Sequence, residues 1–168
     1  IKTDLLTGEL VPNCTFEIRD EDGKIIVNET TDSEGKYKMA IDLFEEGKTY
    51  TYTEIEAPDI YNIDTTPHEF TVRYDENGEI EKTEVTNTRK TRKVIVRKVD
   101  ADTGDPLKGC VFTIAMIDPE TGEQKVNAQT GEPIYLVQNV ETDENGEYVI
   151  EDAPMGTYKF TEIKAPEG

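Results

Sequence analysis

The sequence has no tryptophan, one histidine, two cysteines, and only 18 basic residues against 37 acidic ones. One histidine, His68, cannot build a histidine-based metal centre, and two cysteines far apart in the chain give no disulfide framework. A net charge of −19 and a pI near 4.3 repel phosphate backbones and anionic lipid, which argues against nucleic-acid and membrane-surface partners. No apolar run reaches the roughly 18 residues that a bilayer span requires. The hydrophobic set is only 35% of 168 residues, so the cores must be small. That length allows one domain or two of roughly 80 to 90 residues, and small domains bury little of their surface without a covalent or metal staple. Since the usual staples are lacking, another crosslink would have to serve. No cofactor and no metal are expected.

Cys14 alternates with Phe16 and Ile18, and Cys110 with Phe112 and Ile114, so both read as small inward-facing strand residues rather than disulfide partners. His68, two residues before Phe70, reads as a surface or rim histidine. Neither a secretory leader nor a sorting tail is recognisable, and the chain reads as an internal piece of something larger.

What is present is a duplication. Ile1-Lys-Thr-Asp-Leu-Leu-Thr-Gly8, with Val11, Cys14, Phe16 and Ile18, recurs as Arg97-Lys-Val-Asp-Ala-Asp-Thr-Gly104, with Leu107, Cys110, Phe112 and Ile114. Thr31-Asp-Ser-Glu-Gly-Lys-Tyr37 returns as Thr142-Asp-Glu-Asn-Gly-Glu-Tyr148, and Thr53-Glu-Ile-Glu-Ala-Pro58 as Thr161-Glu-Ile-Lys-Ala-Pro166. The offset between the copies changes along the chain and so locates an insertion around Asp118 to Pro133, whose Pro, Gly and Gln content reads as an extended hairpin or loop. The boundary falls near residues 88–91, giving domains 1–90 and 91–168.

Period-2 alternation rich in Thr, Tyr and Val predicts strands through Phe16/Ile18, Tyr37/Met39/Ile41, Tyr50/Tyr52, Phe70/Val72/Tyr74 and Tyr158/Phe160. Asp22-Gly23, Asn77-Gly78, Thr103-Gly104 and Asn145-Gly146 supply the turns. The fold class is all-β, with two sandwiches in series. Alternation also puts charges on the wrong face. Glu54 shares parity with Tyr50 and Tyr52, Glu162 with Tyr158 and Phe160, Lys98 with Val94 and Val96, and Asn87 with Val85, while Lys2 holds the place of Lys98 in the first copy. A buried acid is costly unless partnered. The plainer reading places these groups at strand ends, in water, as weak ion pairs.

Lys98-Val-Asp, Thr103-Gly, Leu107, Gly109-Cys-Val-Phe-Thr-Ile114, Thr142-Asp-Glu-Asn-Gly146, Gly156-Thr-Tyr and Glu162-Ile-Lys-Ala-Pro-Glu-Gly168 resemble the collagen-adhesin B-type, or prealbumin-like, domains of Gram-positive adhesin stalks and pili. The resemblance departs at Cys14 and Cys110, where that family usually has Ala, and at Ala57-Pro-Asp-Ile-Tyr61, where it prefers Gly before the Tyr. It implies two immunoglobulin-like, prealbumin-like sandwiches and an intramolecular isopeptide bond. A first-strand Lys would join a last-strand Asn, with the Glu before Ala-Pro as catalyst: Lys2, Asn87 and Glu54. An apolar core favours the neutral amine and the protonated acid, and only the neutral amine is a nucleophile. The second copy offers Lys98 and Glu162, while the counterparts of residues 61–88 are missing up to Gly168. Its acceptor Asn and last strand are expected from the continuing natural protein, leaving Lys98 unlinked and a sheet edge open, where a neighbouring molecule could donate a strand. Lys93 is the weaker alternative donor.

The resulting expectation is a stalk or shaft segment of an extracellular surface protein at the bacterial cell wall, monomeric by itself, with further domains of the same protein or pilus as its partners. A competing reading makes one domain adhesive toward a host matrix protein or glycan, with the Asp118 to Pro133 insertion as contact loop, although Tyr135 is the one aromatic anchor nearby. A turnover enzyme is not expected, since such sites need His or metal constellations. Asp20-Glu-Asp-Gly23 and Asp100-Ala-Asp-Thr-Gly-Asp105 evoke calcium loops, but they lack the EF-hand ligand spacing, and turn chemistry accounts for them.

Overall fold

A computed structural model describes residues 1–38, 40–78 and 84–166. The chain divides into two compact units, Ile1–Arg89 and Lys90–Gly168, both nearly all β.

The first unit contains β1 (Lys2–Asp4), β2 (Thr15–Arg19), β3 (Ile25–Thr30), β4 (Thr49–Glu56), β5 (His68–Thr71) and β6 (Val85–Asn87). An antiparallel sheet runs in the order β3-β2-β4-β5, while β1 and β6 pair in parallel, Lys2 opposite Val85 and Asp4 opposite Asn87. Alternation delivers Ile18, Val27, Tyr50 and Val72 to one core with Phe44, whose ring meets Tyr50 edge-on at 5.0 Å. Each such buried side chain contributes about 1.5–3 kcal/mol. A smaller cluster of Val11, Cys14 and Tyr61 packs separately.

The strand expected through Tyr37, Met39 and Ile41 is not formed in the described residues. Met39 lies outside them, and Ile41–Leu43 is a 3-10 turn. The second unit supplies the physical reason. There the aligned Tyr148 lies in a strand with Val96 opposite, whereas Tyr37 has no ladder partner among the described residues. An extended segment without a ladder partner leaves its backbone groups to solvent and gains nothing from staying extended.

The second unit contains β7 (Thr91–Arg97), β8 (Val111–Met116), β9 (Tyr135–Glu141), β10 (Glu147–Pro154) and β11 (Tyr158–Lys164). Antiparallel sheets β11-β8-β9 and β10-β7 face each other through Phe112, which meets Tyr148 of the opposite sheet edge-on at 5.6 Å and stacks on Phe160 at 4.9 Å.

The insertion is more regular than a loop. A nine-residue turn with Asp or Asn second and Thr-Gly fifth and sixth occurs at residues 3–11 and 99–107, and twice more in tandem at 117–125 and 126–134. In every copy the Asx side chain accepts from the two amides before the Gly, as at Asp4 (Leu6, Thr7), Asp100 (Asp102, Thr103), Asp118 (Glu120, Thr121) and Asn127 (Gln129, Thr130). The Thr hydroxyl accepts from the residue after the Gly. Each Gly sits at positive φ, between 67° and 77°. The amides of Val11, Leu107, Lys125 and Ile134 donate to the carbonyls nine residues earlier, of Lys2, Lys98, Met116 and Lys125.

Candidate functional site

The first turn of each unit positions a lysine. Lys2 donates its amide to the Gly35 carbonyl at 2.8 Å and accepts from Val11 at 2.9 Å; Lys98 does the same with Gly146 at 2.8 Å and Leu107 at 3.0 Å. The backbone approach is close enough that only glycine fits. A Cβ on Gly35 would stand 2.8 Å from the Lys2 carbonyl oxygen, and one on Gly146 would stand 2.5 Å from that of Lys98.

β4 places Glu54 opposite Phe16, and β6 ends on Asn87. The three polar groups meet in the first unit. Glu54 Oε1 lies 3.0 Å from Lys2 Nζ and accepts from Asn87 Nδ2 at 3.0 Å, while Oε2 accepts from the Asp64 amide at 3.1 Å. Lys2, Glu54 and Asn87 are 6%, 4% and 1% exposed, so the strand-end, solvated arrangement does not apply here. Cys14 completes the cluster, its Sγ 3.7 Å from Asn87 Nδ2. Burial first, and the Glu54 charge second, push its thiol up to about 11. Asn87 Oδ1 is buried and accepts no hydrogen bond.

In the second unit Lys98 Nζ reaches Glu162 Oε2 at 2.6 Å, but both side chains are one-third exposed. Glu162 was expected to point into a core, yet it stands open to water. In the first unit β6 covers Glu54 and brings Asn87, and residues 90–166 contain no strand aligned with β6. The contact holds the Glu162 carboxyl below its ordinary range and Lys98 above its own. Lys93 instead pairs with Glu151 at 3.0 Å on the surface. Cys14 and Cys110 are both buried free thiols. His68 lies at the rim, 2.8 Å from Asp64 and stacked on Tyr52. Asp20 and Asp100 turn their carboxylates to their own backbone amides.

One group beside the site has no local sequence signal. Asp4 Oδ2 accepts from Tyr61 at 2.9 Å and from Arg89 at 2.6 Å, partners 57 and 85 residues away. Burial pushes the Asp4 carboxyl up, but the Thr7 amide, the Arg89 guanidinium and the Tyr61 hydroxyl outweigh it and hold it below its ordinary value. The same contact raises Tyr61, after burial.

Antiparallel sheets in each unit, with a buried Lys2–Glu54 contact in the first and an exposed Lys98–Glu162 contact in the second, describe a tandem all-β protein. The SpaA prealbumin-like fold domain family matches residues 1–89 and again 92–168, and the chain belongs to that family. Among solved structures, the Bacillus anthracis TIE protein is 30% identical with a TM-score of 0.52, over 98% of this chain and 27% of its own. A streptococcal ancillary pilin is 19% identical (TM-score 0.39, 100% of this chain, 53% of its own). The shaft pilin SpaA of Lactobacillus rhamnosus GG is 16% identical (TM-score 0.38, 99% and 84%). This chain thus spans about a quarter of the first and about half of the second. No curated protein matches it.

Proposed function

We propose that the chain is a load-bearing stalk segment of a Gram-positive surface adhesin or pilin, at the cell wall, whose first unit ties its terminal strands together by a Lys2–Asn87 isopeptide bond. The observation that carries this reading is the single oxygen, Glu54 Oε1, within 3.0 Å of both nitrogens in a buried setting. Transfer of one proton across the Lys2–Glu54 contact turns an ion pair into a neutral amine and an acid. The amine attacks Asn87 Cγ, forming the N–C bond. Glu54 gives its proton to the Asn87 nitrogen, the C–N bond breaks and ammonia leaves, while Glu54 takes up the surplus proton of the new Lys2 amide nitrogen. Amine and amide are held together in advance, so proximity supplies most of the rate. The event occurs once per molecule and is no turnover activity.

Intact mass under denaturing conditions tests this. The chain should be lighter than its sequence by one ammonia and not two, because Lys98 has no carboxamide partner among the described residues. Glu54→Ala should restore the full mass, and an unchanged wild-type mass would sink the proposal.

An adhesive role is the second reading. It is favoured by a groove of about 440 Å³ between Gly122 and Gln124 of the insertion and Thr113, Tyr135, Asn139 and Lys159 of the sheet. Loss of glycan or matrix-protein binding on deletion of residues 117–125, which carry Gly122 and Gln124, is its test; binding by neither form refutes it.

A further inference from the structure

We infer that Cys14 is a second hydrogen-bond donor to the Asn87 carbonyl oxygen during bond formation, forming with Glu54 a two-donor oxyanion site. The inference rests on the crosslinking reading above. It begins from an orphan: Asn87 Oδ1 is buried without a partner, which is unfavourable, while Nδ2 faces both Glu54 and Cys14.

That orientation suits a Glu54 carboxylate, which accepts from the amide nitrogen. Once Glu54 takes the Lys2 proton it becomes a donor, and the isosteric carboxamide gains by turning its oxygen toward Glu54 Oε1. The turn brings the same oxygen to the place now 3.7 Å from Cys14 Sγ. The thiol holds its proton there, since burial and the Glu54 charge keep it up at about 11, so it meets the oxygen as S–H and not as a competing nucleophile. As Lys2 nitrogen bonds to Cγ, the carbonyl electron pair moves onto the oxygen between an O–H and an S–H donor. On collapse Glu54 relays its proton to the departing nitrogen and takes the surplus proton of the new Lys2 amide nitrogen, ammonia leaves, and the thiol neither loses its proton nor forms a bond.

The scaffold fixes this sulfur. The Cys14 amide donates to Thr31 Oγ1 at 3.0 Å, the Thr31 amide donates back to the Cys14 carbonyl at 2.9 Å, and the Thr31 hydroxyl is anchored on the Val11 carbonyl. Cys110 is held identically by Thr142, and its thiol contacts Glu162. The sulfur therefore recurs against the glutamate in both units.

The test follows ammonia loss by mass over time in freshly synthesised full-length chain, for wild type and Cys14→Ala, Cys14→Val and Cys14→Ser, with folding checked by circular dichroism. Removing the donor should slow the reaction about tenfold in both the alanine and the volume-keeping valine variant, because a thiol is a weaker donor than the amides of familiar oxyanion sites. Serine, which keeps an O–H donor, should stay within about threefold of wild type. Equal rates in all four overturn the role of Cys14 while leaving the crosslink intact. Serine as slow as alanine reduces Cys14 to packing and also overturns it. A folded wild type that never loses ammonia removes the crosslink and this inference together.

Discussion

Asp4 divides its carboxylate between two tasks: one oxygen shapes the first turn, and the other binds Arg89 and Tyr61 from the far end of the unit. With side-chain exposures of 0% for Asp4 and 9% for Arg89, this ion pair is shielded from solvent, and losing one partner strands a buried charge. Arg89→Ala should therefore destabilise the first unit by about 3–5 kcal/mol, read from urea midpoints at neutral pH. The pH dependence has a definite sign. Asp4 is held below its ordinary 3.8, and Asp64 is held at about 2, chiefly by the Thr66 amide and then by His68. Groups with depressed folded values stabilise above the unfolded value and lose that contribution as pH falls through the folded one. The urea midpoint should accordingly fall between about pH 4 and pH 2, and less steeply in an Asp4→Asn protein. A midpoint that stays flat to pH 2 would contradict both assignments. Parity placed Glu54 and Asn87 on an inward face but left a solvated strand-end arrangement open, and it was the family resemblance that joined Lys2, Glu54 and Asn87. The partners of Asp4 were not legible in the sequence, because no local pattern encodes a contact made 85 residues away.

At the level of elements, the glycines separate into two kinds. Gly35 and Gly146 combine positive φ with a backbone neighbour inside 3.0 Å, whereas Gly23 has positive φ and open space around it. Gly23→Ala should cost only the left-handed backbone penalty, about 1–2 kcal/mol, while Gly35→Ala must also move the strand carrying Lys2. Thermal melts should rank Gly35→Ala well below Gly23→Ala, and Gly35→Ala should also delay ammonia loss; equal melting points would show the contact to be soft. The insertion gives a second element-level prediction. Residues 126–134 repeat the turn of 117–125 bond for bond, so deleting 117–125 should leave a single hairpin of the kind seen at 99–107. The second unit should keep its melting point within a few degrees, since buried Ile134 is retained. Composition flagged the insertion but concealed its order, because Asx-x-x-Thr-Gly looks like generic loop chemistry until the copies are aligned on one another. The strand expected at residues 37–41 failed for the opposite reason: its alternation was real, but alternation does not supply a ladder partner.

For the whole molecule, the proposed bond decides where tension runs. Lys2 and Asn87 sit one and two residues inside the ends of the first unit, so a pull entering at Ile1 and leaving at Arg89 crosses the isopeptide and bypasses everything between. Under single-molecule stretching the wild-type first unit should show no extension event. The Glu54→Ala protein should lengthen by about 300 Å when that unit opens, at roughly 3.3–3.6 Å per residue. An extension event in the wild type would mean that the terminal strands are not tied. The repeated turn has a consequence for lineage rather than load. Because Met116, Lys125 and Ile134 are linked through the same nine-residue bond, the segment between β8 and β9 can grow by copying a stretch of its own gene and re-enter the next strand on the same face each time. Variation in its reach is thereby quantised, and relatives of this chain should differ there by multiples of one turn.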